Sequence, residues 1–216
     1  MPSIYRRHGK RMLDLMLAVP LLLVMAPAMF LMGILIRIKL GSAVLFTQVR
    51  LGRGARPFRL IKFRTMTDQR DASGQLLPDE QRLTPFGRFL RSTSVDEIPE
   101  LWNVVLGDMS LVGPRPLLTD YCSHYSPRQA RRHEVKPGLT GLAQVNGRNA
   151  LSWKERFEYD LEYVENVSFR LDVMILAKTI LSVVRRDGIT AQSHATMPRF
   201  DEEAVRSERE RHRGAA

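Results

Sequence analysis

Two adjacent carboxylates, Asp96 and Glu97, stand in the run Ser94-Val95-Asp96-Glu97-Ile98-Pro99-Glu100, and an arginine follows between two prolines at Pro114-Arg115-Pro116. An ionised aspartate can attack phosphorus as a nucleophile while a neighbouring glutamate holds a divalent cation. The planar guanidinium of an arginine matches phosphate oxygens two at a time, and flanking prolines stiffen the backbone that aims it. The same acids have a plainer reading, as helix caps. Ser94 with Glu97 fits a capping box, and alternatively Asp96 or Glu97 is itself the cap with Pro99 in the first turn. Either way both carboxylates lie at the positive end of a helix dipole, which favours their ionised forms.

Other cations are candidates for the same anion: Lys62, Arg64, Arg88, Arg91 and Arg148. Each taken singly reads as a solvated surface charge. Lys62 and Arg64 alternate with Phe63, so on a strand they share the face opposite Phe63. Gly138, Gly141 and Gly147 surround Asn146-Gly147-Arg148-Asn149, a loop able to approach a ligand closely. His124 and His133 show no ligand spacing and read as surface residues. Cys122, the single cysteine, has no metal-type neighbours and reads as a small packing residue in a reducing compartment. No GxGxxG motif, P-loop or Ser-His-Asp arrangement is present.

The elements that must position these groups are mostly helical. Ser42 to Gln48 and Pro57 to Phe63 are rich in strand formers, with turn chemistry between them at Leu51 to Arg56, so a small hairpin is expected. Residues 68–80 are polar and read as a loop. Thr84 to Leu90 reads as a helix opened by Thr84 with Pro85 at its first position. Ile98 to Leu106 is amphipathic and ends at Gly107. Arg128 to Glu134 and Leu151 to Val164 also read as helical, the latter opening after Ser152. The fold class is therefore α+β, mostly helical, with one small antiparallel sheet. The expected division is an anchor at 1–39, a catalytic domain at 40–198 and a charged, fraying tail at 199–216.

The anchor follows from hydropathy. From Met12 to Ile36 only Asp14 is charged, and one helix of this length would measure roughly 37 Å, enough to cross a hydrocarbon core of about 30 Å. A cleaved signal is disfavoured, because the run is too long and basic residues follow it. Arg6, Arg7, Lys10 and Arg11 precede the run, and Arg37, Lys39, Arg50 and Arg53 follow it. Cations at both ends place both ends on the cytoplasmic side, which a simple span does not allow. Pro20 and Pro27 permit a helix broken at Ala26-Pro27 that enters a leaflet and leaves on the same side. A kinked single-pass helix is the alternative. A second apolar stretch, Leu171 to Val184, is interrupted by Asp172, Lys178 and Ser182. It suits either a core helix or one lying in the membrane interface.

The net charge of +10 calls for an anionic partner: nucleic acid, anionic lipid or a phosphorylated substrate. A nucleic-acid binder would need a basic stripe interleaved with stacking aromatics, and aromatics make up only 7% of the chain without such a pattern. A non-catalytic membrane-bound scaffold is the other alternative. It would tolerate loss of Asp96.

Five motifs carry a resemblance: Lys62-Phe63-Arg64-Thr65-Met66, Arg91 to Glu97, Gly107 to Pro116, Lys136-Pro137-Gly138-Leu139-Thr140-Gly141 and Gln144-Val145-Asn146-Gly147-Arg148. In this order the chain resembles the bacterial sugar transferases, the monotopic phosphoglycosyl transferases, in their minimal form. The resemblance implies transfer of a phosphosugar from a UDP-sugar to a polyprenol phosphate, usually undecaprenyl phosphate, with release of UMP. It puts Asp96 at the nucleophile's position, with a covalent phosphosugar intermediate. It also implies Glu97 as a ligand of Mg²⁺, and Lys62, Arg91, Arg115 and Arg148 facing the phosphates. Asp172 falls in a family-like Leu-Asp pair and reads as structural. The resemblance further implies a re-entrant anchor in membrane lipid, where the family has Ser-Pro and this chain has Ala26-Pro27, at the cytoplasmic face of the bacterial inner membrane.

Overall fold

The computed structural model describes residues 4–41, 43–147, 150–185 and Phe200. Its dominant element is a single apolar helix, α1 (Lys10–Leu40), entered through a π-helical turn at Tyr5–Gly9. At the expected break, Ala26-Pro27, the helix is not interrupted: Pro20 and Pro27 both lie inside α1. A proline removes one N–H and bends the axis, and neither loss ends this helix.

Both ends of α1 rest on the same folded body. Near its start, Asp14 accepts hydrogen bonds from Leu111 N and Ser110 Oγ, each at 2.9 Å, and Ala18 enters the main core beside Leu101 and Val104. Near its end, Ile36 and Leu40 pack with Phe63 and Leu90. Arg11 donates to the carbonyls of Val104 and Val105 at 2.6 and 2.8 Å, supplying a cation to the negative end of the next helix it crosses. Most apolar side chains between these ends, Leu23, Val24, Phe30 and Leu31 among them, are exposed.

The hairpin forms as expected: β1 (Leu45–Leu51) pairs antiparallel with β2 (Pro57–Phe63), turning through Arg53–Ala55. After a polar loop and a short helix, α2 (Asp79–Arg82), comes α3 (Pro85–Ser92), capped by the Thr84 side chain. A 3-10 turn at Val95–Glu97 leads into α4 (Glu100–Leu106), which Gly107 ends at φ +93°. A second pair of strands, β3 (Ser110–Val112) and β4 (Gly138–Thr140), was not legible in the sequence because each is three residues long. They run parallel, and the contact is so close that a Cβ on Gly113 would lie 2.4 Å from the Lys136 carbonyl oxygen. The helix expected over Arg128 to Glu134 is two pieces, α5 (Pro127–Ala130) and a 3-10 turn at Arg131–Glu134.

Beyond β4 the chain forms α6 (Leu142–Val145), α7 (Trp153–Glu165) and α8 (Phe169–Arg185). Ser152 and Glu155 make a full capping box at the start of α7. On α8 one face is core, and the other leaves apolar side chains exposed. Asp172 and Ile175 are fully buried, while Val173, Ile180, Leu181 and Val183 are exposed. The architecture is α+β, as the composition and periodicity indicate.

Candidate active site

The acidic pair is placed by a strained turn. Ser94 has φ +55°, a left-handed conformation uncommon for a residue with a side chain. The 3-10 turn that follows carries Asp96 and Glu97, and Pro99 rather than either acid occupies the cap position of α4. The capping expectation is thereby corrected. Neither carboxylate caps α4, so both are free of that structural duty.

Their environments differ sharply. Glu97 is held by two cations: Lys62 Nζ donates to Oε1 at 2.9 Å, and Arg115 contacts the same oxygen while its Nη1 lies 3.4 Å from Oε2. Burial would raise Glu97, but the charges of Arg115 and Lys62 override it and hold the group well below the usual carboxylate range. Asp96 is 8% exposed. Burial, reinforced by the Glu97 charge, pushes it up to about 6, against the pull of Lys62, Arg115 and Arg91. The dipole expectation of two readily ionised acids thus holds for Glu97 and fails for Asp96, where desolvation wins.

A third carboxylate, to which the sequence analysis assigned no role, completes the cluster. Glu100 is 2% exposed, and Lys62 Nζ lies 3.0 Å from its Oε1. Among the described residues no other donor faces that buried oxygen. Burial, with the neighbouring Glu97 charge, raises Glu100 to about 7. The only sequence signal was its place one turn along from Glu97.

Lys62 reaches this cluster because β2 is fastened to α4 by a side chain the sequence analysis missed. Asn103, buried on α4, donates from Nδ2 to Arg59 O at 2.7 Å and accepts from Ile61 N at 3.0 Å. An amide satisfies both a carbonyl and an N–H of an otherwise free strand edge. The predicted cations divide accordingly. Lys62 and Arg115 meet the acids directly, and Arg91 stands near enough to act on Asp96 while donating to Thr65 Oγ1 at 3.0 Å. Arg64, the residue after β2, engages Asp68 at 2.6 Å and the Met66 carbonyl at 2.7 Å. Arg88 donates to Leu83 O, and Arg148 lies outside the described residues.

Two further corrections concern lone residues. His133 is buried, its Nδ1 3.2 Å from Gly52 O, and burial with the Arg132 charge lowers it to about 4. A neutral imidazole facing a carbonyl is a packing element, not a surface charge. Cys122, expected to be packed, is exposed in the 3-10 turn Thr119–His124.

Among the described residues no group of three or more His, Cys, Asp or Glu side chains converges as a protein-only metal cage. Mg²⁺ does not need one, since it commonly binds one or two carboxylates and completes its shell with water and substrate phosphates. Glu97 and Asp96 provide such a donor set. Both oxygens of Glu97 face cations, so a metal ion there would take over the counter-ion role of Lys62 or Arg115.

The chain is similar to known proteins along most of its length. It is 54% identical over 191 residues to the uncharacterized sugar transferase EpsL of Bacillus subtilis (strain 168), covering 88% of this chain and 95% of the relative. It is 38% identical over 188 residues to a UDP-glucose:undecaprenyl-phosphate glucose-1-phosphate transferase of Caulobacter vibrioides, covering 82% and 70% respectively. An undecaprenyl-phosphate galactose phosphotransferase of Salmonella typhimurium is 35% identical over 199 residues, covering 84% of this chain and 42% of that longer protein. The profile of one family spans residues 5–186, from the turn before α1 to the end of α8 and so across the whole acid–cation cluster: the chain belongs to the bacterial sugar transferase family.

Proposed function

We propose that the protein transfers a sugar-1-phosphate from a UDP-sugar to undecaprenyl phosphate, releasing UMP, with Asp96 as nucleophile. The observation that carries this reading is the pairing of a desolvated aspartate with a glutamate already saturated by Lys62 and Arg115. The names of the relatives agree with it in donor and acceptor class.

In the first step an Asp96 oxygen attacks the sugar-linked phosphorus, and the bond from that phosphorus to the bridging oxygen breaks. UMP leaves with the bonding electron pair. In the second step an oxygen of the lipid phosphate attacks the same phosphorus and displaces Asp96, which regains its carboxylate. Splitting the transfer lets one phosphorus site serve two large substrates in turn. An unassisted carboxylate would be repelled by a diphosphate. Arg115, Lys62 and Arg91 offset that repulsion and stabilise the charge that develops on the leaving phosphate. Mg²⁺ held at Glu97 would supply further charge neutralisation on the diphosphate. Glu97→Gln should therefore raise the Mg²⁺ concentration needed for half-maximal rate by about tenfold or more, as measured by metal titration of UMP release. An unchanged midpoint would remove Glu97 from the metal's shell.

The anchor supports a membrane-bound reading and favours re-entry over a span. A helix crossing about 30 Å of hydrocarbon leaves its ends on opposite faces. Here Asp14 and Leu40 both dock on one body, which would itself have to enter the bilayer. The basic residues at both ends agree with a cytoplasmic position for each. The exposed apolar face of α8 suits the interface of the same leaflet.

The deciding experiment is UMP release from a panel of UDP-sugars, with undecaprenyl phosphate and Mg²⁺ present or omitted. Release that needs one sugar, the lipid phosphate and the metal supports the whole proposal and names the donor. No release from any donor by folded, membrane-bound protein favours the scaffold.

A further inference from the structure

Arg115 stands in a segment short of backbone donors, because Pro114 and Pro116 have no N–H. It is held instead by its carbonyls, four in succession. Pro114 O accepts from Gly138 N at 2.9 Å, Arg115 O from Arg132 Nη2 at 2.7 Å, Pro116 O from Arg50 Nη1 at 3.5 Å, and Leu117 O from Leu51 N at 3.5 Å. Two of the four donors are guanidinium groups, and the shorter of those contacts falls on Arg115 itself.

Arg132 is in turn fixed by a buried acid. Its Nε and Nη2 donate to Asp160 Oδ2 at 3.0 and 2.7 Å, and the two residues are 3% and 2% exposed. The Arg132 guanidinium also lies over the Phe157 ring, 5.7 Å from its centroid. Burying an arginine–carboxylate pair contributes little net stability, because the desolvation cost offsets most of the attraction. The pair is therefore better explained by what it orients. One nitrogen, Nη2, serves both the Asp160 carboxylate and the Arg115 carbonyl, so α7 reaches through Arg132 to the main chain of the residue that grips Glu97.

We infer that Arg132 and Asp160 are positioning residues for Arg115: they fix its main chain so that its guanidinium meets Glu97 and the substrate phosphates. This rests on the proposed role of Arg115 in the transfer. A lysine at 132 offers a point charge to Asp160 but not the fork that spans carboxylate and carbonyl together.

The test is a double-mutant cycle on the full chain in lipid nanodiscs, read as the rate of UMP release from the donor that the wild type uses. Arg132→Lys alone should lower kcat by about 10- to 100-fold, the cost of removing a supporting partner of an active group, with the thermal midpoint little changed. In an Arg115→Ala background the same change should cost less than about twofold, because the residue it positions is gone. A loss that multiplies in full across the two backgrounds overturns the inference and leaves a merely structural pair. Should Arg132→Lys not fold, Asp160→Asn, which keeps an acceptor oxygen, takes its place in the same cycle with the same two outcomes. A wild type that releases UMP from no donor refutes the proposed function beneath the inference and this inference with it. An active wild type with a multiplicative cycle refutes only the positioning role.

Discussion

Asp96→Asn is expected to reduce UMP release by on the order of 10⁴-fold or more, the scale at which removal of a covalent nucleophile is felt, while making the metal-free protein more stable at neutral pH. The two effects have one cause. In the folded chain the Asp96 carboxyl is pushed up to about 6 from an ordinary 3.8, chiefly by burial. The native state therefore binds this proton more tightly than the unfolded chain does. Ionising Asp96 costs nothing below about pH 4, an increasing amount between 4 and 6, and about 3 kcal/mol above that. Asparagine carries no charge at any pH, so it escapes the cost. Denaturation of wild type and variant at a series of pH values, without metal, should give curves that coincide near pH 4 and separate as the pH rises, with the variant above. Function retained at the expense of stability is what a nucleophile held in a desolvated site predicts. A variant that still turns over would exclude the covalent route. A variant that is inactive but no more stable would mean that Asp96 ionises freely in the fold.

Much of this site is legible in the sequence, for a physical reason. The Asp96-Glu97 pair, Lys62 and Arg115 announce themselves by charge and by neighbouring prolines, and those signals are local. The hairpin, the Thr84 cap and the helix opening after Ser152 were equally local and formed as expected. What sequence reasoning missed is long-range. Asn103 is an ordinary polar residue in a helix until β2 comes to lie beside it. Glu100 reads as a solvated charge until burial leaves it facing Lys62. The partners of Arg64, Asp68 and the Met66 carbonyl in the loop after β2, are likewise invisible to an alternation pattern. His133 reads as a surface residue because it shows no ligand spacing, yet the 3-10 turn that carries it is covered by the loop at Gly52. Asp96 was expected to ionise readily from its sequence position alone, since the dipole of a helix start is visible in a sequence and the degree of burial is not.

Asp172→Ala is expected to lower the stability of the folded chain by about 3–5 kcal/mol, the usual cost of leaving the partner of a buried ion pair uncompensated. Asp172 is fully buried on α8. Its Oδ2 accepts from Lys10 Nζ at 2.8 Å and from the Tyr5 hydroxyl, and its Oδ1 accepts from Tyr163 Oη at 2.7 Å. Tyr163 stands beside the Val112 carbonyl at 3.0 Å, so one carboxylate links the start of the anchor to α7, α8 and the end of β3. Alanine leaves the Lys10 ammonium without the carboxylate it touches, with only the more distant Asp14 still acting on it, and leaves the Tyr5 hydroxyl short of an acceptor while Tyr163 keeps the Val112 carbonyl. For a chain of this size that energy corresponds to a fall of about 10 °C in the thermal midpoint. The rest of α1 keeps its apolar surface, so the variant should still sediment with membranes while its folded body becomes sensitive to protease. Removing the stranded charge should restore part of the loss: Lys10→Met added to Asp172→Asn should be more stable than Asp172→Asn alone, because the penalty belongs to the unpaired ion and not to the absent bond. Additive losses in that pair would show that Lys10 and Asp172 act independently, and that the anchor is held to the body by its apolar contacts and by Asp14 instead.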